Sequence, residues 1–484
     1  MTGFTVLDDP AGTAVALDPA HARRHHAPTA STAPTGPSGS SGALPDDGGP
    51  LGHAEFRLAS PDVGLVAHGV RERLDVPSWD GPAVAAAARD LLARAASARW
   101  AGEPAPILVG TIPFDSSRPA HLVVPAYQSW RAVGAAHGAQ SDRDLLGTTD
   151  TTGTTDTTDT TGTTSTTSTT GTTSTTGTTG TAAATRTSGA SPAGQAHRVA
   201  AAASAPTGLP GRDDAVFRAA VGRAVSQLED GVAEKVVLAR TLDVSAPGPL
   251  DRGAVRAAMR RANPDAYVFD VELPGEQGHL VGASPELLVS VRDGVLHSHP
   301  LAGSAPRSAD PEEDRATAQR LLTSEKDLRE HAFVTDAIRA VLRGFVAHED
   351  DLDVPATPEL VATSHLWHLG TPVTARLKPG TSVLDVVYAL HPTPAVCGHP
   401  QAAARELIGS LEPFDRGFYT GLVGWADQAG NGEWAIVLRC GVVRGADVRL
   451  FAGAGVVVGS TPEGEHSETA VKFSTLLSAL GSVS

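Results

Sequence analysis

Residues 148–180 are eleven consecutive Thr-Thr-X triplets in which X is Gly, Ser or Asp. No position of the triplet is apolar, so the tract buries almost nothing and cannot offset the entropy of ordering its backbone. A repeating β-solenoid is the ordered alternative, but stacked repeats need an apolar position from which to build a core. The tract therefore divides the chain. Residues 141–210 are expected to form a disordered insertion in a surface loop, where extra length costs little. Residues 1–52 are expected to be a largely disordered N-terminal segment, because 20–52 is rich in Pro, Gly, Ser and Ala with few large apolar side chains. What remains to fold is an N-terminal block, 53–140, and a C-terminal block, 211–484.

In the first block ILVGTIPFD (107–115) and HLVVPA (121–126) are short β-branched runs, and 82–98 is an Ala-rich helix candidate. In the second, 235–244, 266–273, 433–443 and 447–458 read as strands, whereas 214–229, 312–345, 400–410 and 465–480 carry helical periodicity. Strands joined by turns as short as RGAD (444–447) pair antiparallel, which predicts an α+β fold of layered antiparallel sheets with helices outside.

With 41% hydrophobic residues in 484, the chain can fill a sizeable core. Its net charge of −16, with no Lys/Arg block, argues against nucleic acid or an anionic membrane as partner. The two cysteines, Cys397 and Cys440, have no metal spacing and suit a reducing compartment. No stretch of about 18 apolar residues occurs, and the start MTGFTVLDDPAG lacks a basic and apolar leader. The cytoplasm is the expected location.

Four places carry candidate chemistry. On the C-terminal helix Glu465, Glu468 and Lys472 fall at i, i+3 and i+7, on one face. This is either a functional stripe or a solvated face with an i,i+4 ion pair between Glu468 and Lys472. In SEKDLREHAFV, Glu330 sits beside Phe333, Val334 and Ala337 at the edge of an apolar face, where a carboxylate wants a partner such as Mg²⁺. Acids favoured by the helix dipole are the alternative. Alternation in KVVLARTLDV puts Lys235 on one face with Val237 and Ala239. A lysine there either snorkels to solvent or, if burial or a cation lowers its proton affinity, serves as a base. Glu286, in ASPELLV, follows Ser284-Pro285 and precedes a β-like run, a place where an exposed turn acid is the more common case. Finally, Arg439 shares a predicted strand face with Val437 and Gly441, and the glycines of FAGAG (451–455) would let backbone N–H groups approach a carboxylate or simply pack a tight strand.

The order and wording of these segments carry more than any one of them. EKVVLAR, ASPELLV, PLAGSAPR, TSEKDLREH, HPTPAVCGHP, EPFDRGFYTGLVGW, EWAIVLRCG and FAGAGVVVGSTPEGEHSETAVKF together resemble the chorismate-utilising enzymes across nearly all of 211–480, and VGTIPFD and HLVVP resemble the first part of the isochorismate synthases among them. The resemblance implies that family's fold, Mg²⁺ as cofactor and chorismate as substrate. It implies water as the nucleophile, since Lys235 stands where ammonia-using members have an amide side chain. Ala395 stands where aminodeoxychorismate synthases have a nucleophilic lysine and where salicylate synthases tend to have a larger hydroxylated residue, which favours stopping at isochorismate. Carried over, Lys235 is the base towards water at C2 and Glu286 the acid towards the departing 4-hydroxyl. Glu330 and Glu468 hold Mg²⁺, with Glu465 acting through water. Arg439, Lys472 and the backbone of Gly453 receive substrate carboxylates, while Gly303, Ser304, Ala395, Tyr419 and His368 line the rest. Salicylate synthase and a catalytically silent paralogue are the alternatives. Contact with enzymes that consume isochorismate, for siderophores or menaquinone, is the partner this implies, and oligomeric state stays open. The chain departs from the family after PLAGS, with Ala305, Pro306, Arg307 and Ser308 in place of two arginines and a glycine, and at Gly464, where a bulky residue is usual.

Overall fold

The computed structural model describes residues 55–132 and 212–482, except 62, 77, 79–82, 100–102 and 276, together with the short strand Thr5–Val6. The stretches expected to be disordered, 141–210 and all of 1–52 but that strand, lie outside the described residues.

Among the described residues two large antiparallel sheets are built from both blocks. The first has ten strands. Its order runs Thr5–Val6, Lys235–Ser245, Asp447–Val457, Cys440–Arg444, His279–Ser284, Tyr267–Glu272, Glu55–Ala59, Val63–His68 and Tyr127–Ala132, with Gly398–His399 added beside Lys235–Ser245. The second, of nine strands, has Leu287–Arg292, Gly432–Ile436, Leu422–Asp427 and Ile107–Ile112 side by side at its centre. Leu301–Pro306, Leu366–Gly370 and Glu359–Ala362 form a small third sheet.

Side chains alternate along each strand, so the two large sheets can each turn one face to the other and one to helices. Phe56, Leu58, Phe269 and Leu280 of the first sheet meet Val109, Val123, Val423 and Ala435 of the second in a common core. Phe269 is fully buried there, and its truncation to Ala would cost about 3–5 kcal/mol. The outer face of the first sheet is covered by helices Arg252–Ala262 and Pro462–Gly481, and the strand Lys235–Ser245 by Arg212–Glu229 and Gln401–Leu411. Helices Ala83–Ser97, Glu325–Leu342 and Val383–Leu390 cover the second. The layered α+β expectation holds.

Two expected elements are broken, each for a local reason. The helical stretch 312–345 is two helices, Pro311–Thr323 and Glu325–Leu342. Ser324 ends the first and caps the second, its hydroxyl accepting from the Asp327 N–H at 3.3 Å. The run 433–443 is likewise not one strand: Gly432–Ile436 belongs to the second sheet and Cys440–Arg444 to the first. Between them Arg439 takes a φ of 50°, a left-handed conformation that ends the alternation. Arg439 is therefore at a crossover between sheets and not on a strand face with Val437 and Gly441.

Candidate active site

The crossover at Arg439 has a neighbour. Glu286 lies where the chain passes from His279–Ser284 in the first sheet to Leu287–Arg292 in the second. The two crossovers are hydrogen-bonded to each other, Ala283 N–H donating to Arg439 O at 3.2 Å and Ile436 N–H to Glu286 O at 3.1 Å. Both side chains thus leave the sheets at the same seam.

Glu286 is 3% exposed. Burial raises its carboxyl to about 7, overcoming the Leu301 N–H, which donates to Oε1 at 3.3 Å, and the charges of Lys235, Arg439 and Lys472. It is a turn residue, as its surroundings in sequence allowed, but not an exposed one.

Lys235 opens the strand Lys235–Ser245 and is fully buried, which removes the snorkelling alternative. Its Nζ is 3.1 Å from Glu330 Oε1, and no aligned hydrogen-bond acceptor meets it among the described residues. A buried ammonium with donors to spare is a costly arrangement that a bound polar molecule would relieve. The pairing depends on Gly455, which stands opposite Val237 in the adjacent strand: a Cβ there would collide with the Glu330 carboxylate and lie 3.2 Å from Lys235 Cε. Gly455 therefore makes room for an acid side chain.

On the helix Pro462–Gly481 the Glu468–Lys472 ion pair forms at 2.5 Å, but the stripe faces inward. Ser304 donates to Glu468 Oε1 at 3.2 Å, and Lys472 also donates to Gly453 O at 2.8 Å. That carbonyl points away from Lys235–Ser245, so the Gly453 N–H, on the same side of the strand, points to the same unpaired edge. Glu465 is 2% exposed and receives Lys326 Nζ at 3.1 Å. Burial and the adjacent Glu468 raise the Glu465 carboxyl. Burial would raise Glu468 too, but Lys472 outweighs it and holds that carboxyl below its ordinary range.

The remaining expected residues fall around this centre. His368 is buried, its Nε2 3.5 Å from Arg439 Nη2, and burial followed by the charges of Arg439 and Lys472 keeps it neutral. Tyr419 stacks on Phe451 with ring centroids 5.1 Å apart, and its hydroxyl lies beside Gly453. Gly303, at φ 81°, passes close to Asp327 in a bulge of the strand that carries Ser304. Ala395 packs against the core of the second sheet, in the segment whose Cys397 carbonyl accepts from Val237 N–H at 2.8 Å.

Some contributors were not read from the sequence. Lys326 is within electrostatic reach of Glu465, Glu330 and Glu468 together. Its i,i+4 spacing from Glu330 is the signal that would have found it. His331 donates from Nδ1 to Ala302 O, 3.1 Å, and its Nε2 accepts from Thr371 Oγ1, 2.7 Å, which fixes the turn of the helix that carries Glu330. Phe451 and the partly buried Leu438 belong to the apolar core between the two sheets, on which Tyr419 stacks.

The arrangement can position a dianion against Arg439 and Lys472, with a lysine and a partly protonated carboxyl both exposed to it. A family described as chorismate binding enzyme matches residues 156–481, two thirds of the chain.

The chain belongs to that family.

Among curated relatives, isochorismate synthase DhbC of Bacillus subtilis (strain 168) is 36% identical over 433 residues, covering 88% of this chain and 93% of its own length. Isochorismate synthase EntC of Escherichia coli (strain K12) is 35% identical over 427 residues, covering 88% and 94%. The crystal structure of DhbC from Bacillus anthracis superposes with a TM-score of 0.70 at 34% identity, covering 88% of this chain and 96% of that one. At 88% of this chain, these matches reach beyond residues 211–484 into the N-terminal block.

Proposed function

We propose that this chorismate-binding enzyme is an isochorismate synthase, in which Lys235 and Glu286 act as base and acid on the same substrate. The observation that carries the reading is the pair itself: a fully buried lysine with unmatched donors, and a buried carboxyl held near pH 7, within electrostatic reach of each other and of Arg439 and Lys472. Lys235, neutral when it acts, takes a proton from water as its oxygen bonds to C2 of chorismate. The two ring double bonds each move one position, the C4–O bond breaks, and Glu286 gives its proton to the departing 4-hydroxyl, which leaves as water. One water enters and one leaves, so the reaction is an isomerisation. Arg439, with its planar fork, and Lys472 receive the two substrate carboxylates, and the Gly453 N–H points to the same edge.

We place Mg²⁺ against Glu330, Glu465 and Glu468. Among the described residues no three acid, His or Cys side chains are grouped closely enough to share one ion, and each glutamate is turned instead onto a lysine. The donor set nevertheless fits the ion, because Mg²⁺ is a hard cation that takes one or two carboxylates and fills its sphere with water and substrate oxygens. When bound it supplies Lewis-acid polarisation and orientation of the substrate's ring carboxylate. The small, unreactive Ala395 offers no nucleophile for a covalent route. A reducing cytoplasm suits the two buried free thiols, Cys397 and Cys440.

The test is incubation of the purified chain with chorismate and Mg²⁺, with products separated by chromatography. Isochorismate is expected. Salicylate with pyruvate would transfer the assignment to a salicylate synthase, and no consumption of chorismate would leave a silent paralogue.

A further inference from the structure

Three of the lysines at the site each neutralise one carboxylate: Lys235 pairs with Glu330, Lys472 with Glu468 and Lys326 with Glu465. Lys235 and Lys472 have tasks in the proposed reaction and are well enclosed, with side chains 0% and 13% exposed. Lys326 has no such task. Its side chain is 41% exposed and starts from the first turn of the helix Glu325–Leu342, so it reaches the acids from solvent and has a way back. Its partner Glu465 is among the most enclosed acids of the chain, 2% exposed, and a carboxylate so placed is costly without a cation beside it. One long, partly exposed cation thus caps Glu465 on its solvent side.

We infer that Lys326 is a built-in substitute for the metal, neutralising Glu465 until Mg²⁺ enters and then swinging out to water, so that it sets the Mg²⁺ concentration at which the site fills. The inference rests on the Mg²⁺ site proposed above. Its logic is competition of charge: the Lys326 ammonium sits on Glu465 Oε1 and within electrostatic reach of Glu330 and Glu468, the acids against which the metal is placed. If the lysine-out state makes up about 1–10% of the metal-free protein, the apparent affinity for Mg²⁺ is lowered by roughly 10- to 100-fold, and removing the ammonium restores it.

The full chain, freed of metal with a chelator, is titrated with MgCl₂ by calorimetry as parent, Lys326→Met and Lys326→Arg, and thermal unfolding is followed in chelator. Lys326→Met keeps the aliphatic stem and loses the charge. The expected result is Mg²⁺ binding tighter by about tenfold or more in Lys326→Met, a lower melting temperature of that variant without metal, and parent-like behaviour in Lys326→Arg. Lys326→Gln serves as the neutral variant should the Met protein fail to fold. Unchanged or weaker Mg²⁺ binding in the neutral variant overturns the inference while leaving the metal site standing. Absence of Mg²⁺ binding by the parent overturns the site itself, and the inference with it.

Discussion

Replacing Glu286 with Gln should cost activity and add stability, and the added stability should grow with pH. The buried carboxyl titrates at about 7 in the folded chain against an ordinary 4.5. Below 4.5 it is protonated in both folded and unfolded states and its shift has no effect on the balance between them. Between 4.5 and about 7 the unfolded chain loses the proton while the folded chain keeps it, so stability falls as pH rises, by ~1.4 kcal/mol per pH unit. Above about 7 the loss levels off near 3 kcal/mol. Gln fills the same space, can accept from Leu301 N–H as Glu286 Oε1 does, and has no charge to bury. Urea unfolding of parent and Glu286→Gln should therefore give similar stabilities near pH 4.5 and a gap of about 3 kcal/mol in favour of the variant at pH 8. In the same proteins kcat/KM for chorismate should fall roughly 10²- to 10⁴-fold on losing the proton donor. The parent's kcat/KM should itself decline above about pH 7 as Glu286 ionises, approaching tenfold per pH unit. A stability gap that does not change between pH 4.5 and 8 would refute the burial argument, and a variant of near-normal activity would refute the role.

Lys235→Ala should abolish turnover while chorismate binding stays measurable by calorimetry, since Arg439 and Lys472 remain; near-normal turnover would remove Lys235 from the mechanism. Gly455→Ala should drive the Glu330 carboxylate out of its place beside Lys235 and lower kcat/KM by about 10²-fold, the usual penalty for a misplacement of about 1 Å; steady-state kinetics within twofold of the parent would show that the acid has room to move. Deleting residues 148–180 should leave specific activity and soluble yield unchanged, because a tract without apolar positions has nothing to pack; a large loss of soluble, active enzyme would assign the tract a structural part.

The elements most legible in the sequence are those whose period runs unbroken. Residues 82–98 and 400–410 gave helices within a residue or so, and 235–244 and 447–458 gave strands, because each holds one face to a core along its whole length. The two misreadings share a cause. Ser324 and Arg439 each interrupt a pattern without changing its hydrophobicity: Ser324 by offering its hydroxyl to the next helix, Arg439 by a single left-handed residue. Polar partnerships were legible in part. The i,i+4 pair of Glu468 and Lys472 follows from helix geometry, but the inward turn of its face does not, because Glu465, Glu468 and Lys472 are as polar as any solvated stripe. The pairings of Lys235 with Glu330, and of Lys326 with Glu465, join residues 95 and 139 positions apart, and only the fold brings such groups together.

The same crossovers that defeated strand reading are what make the acid and the arginine serviceable. A side chain within a strand of either sheet would face the shared core or the outer helices, and a charge on either face would need a partner of its own. At the seam Glu286 and Arg439 escape both faces and point where the sheets separate, yet each is fixed by backbone bonds to the strand that carries the other. Lys235 arrives at the same place by a different route, as the first residue of a long strand near one edge of the first sheet, held in full register with Asp447–Val457. These three groups are thus anchored on sheet backbone, while Lys326, with a side chain 41% exposed, starts from the first turn of a helix. Rigid placement of acid, base and carboxylate fork keeps their geometry from being reorganised during the reaction. On the reading proposed above, motion confined to Lys326 would let metal enter without disturbing them.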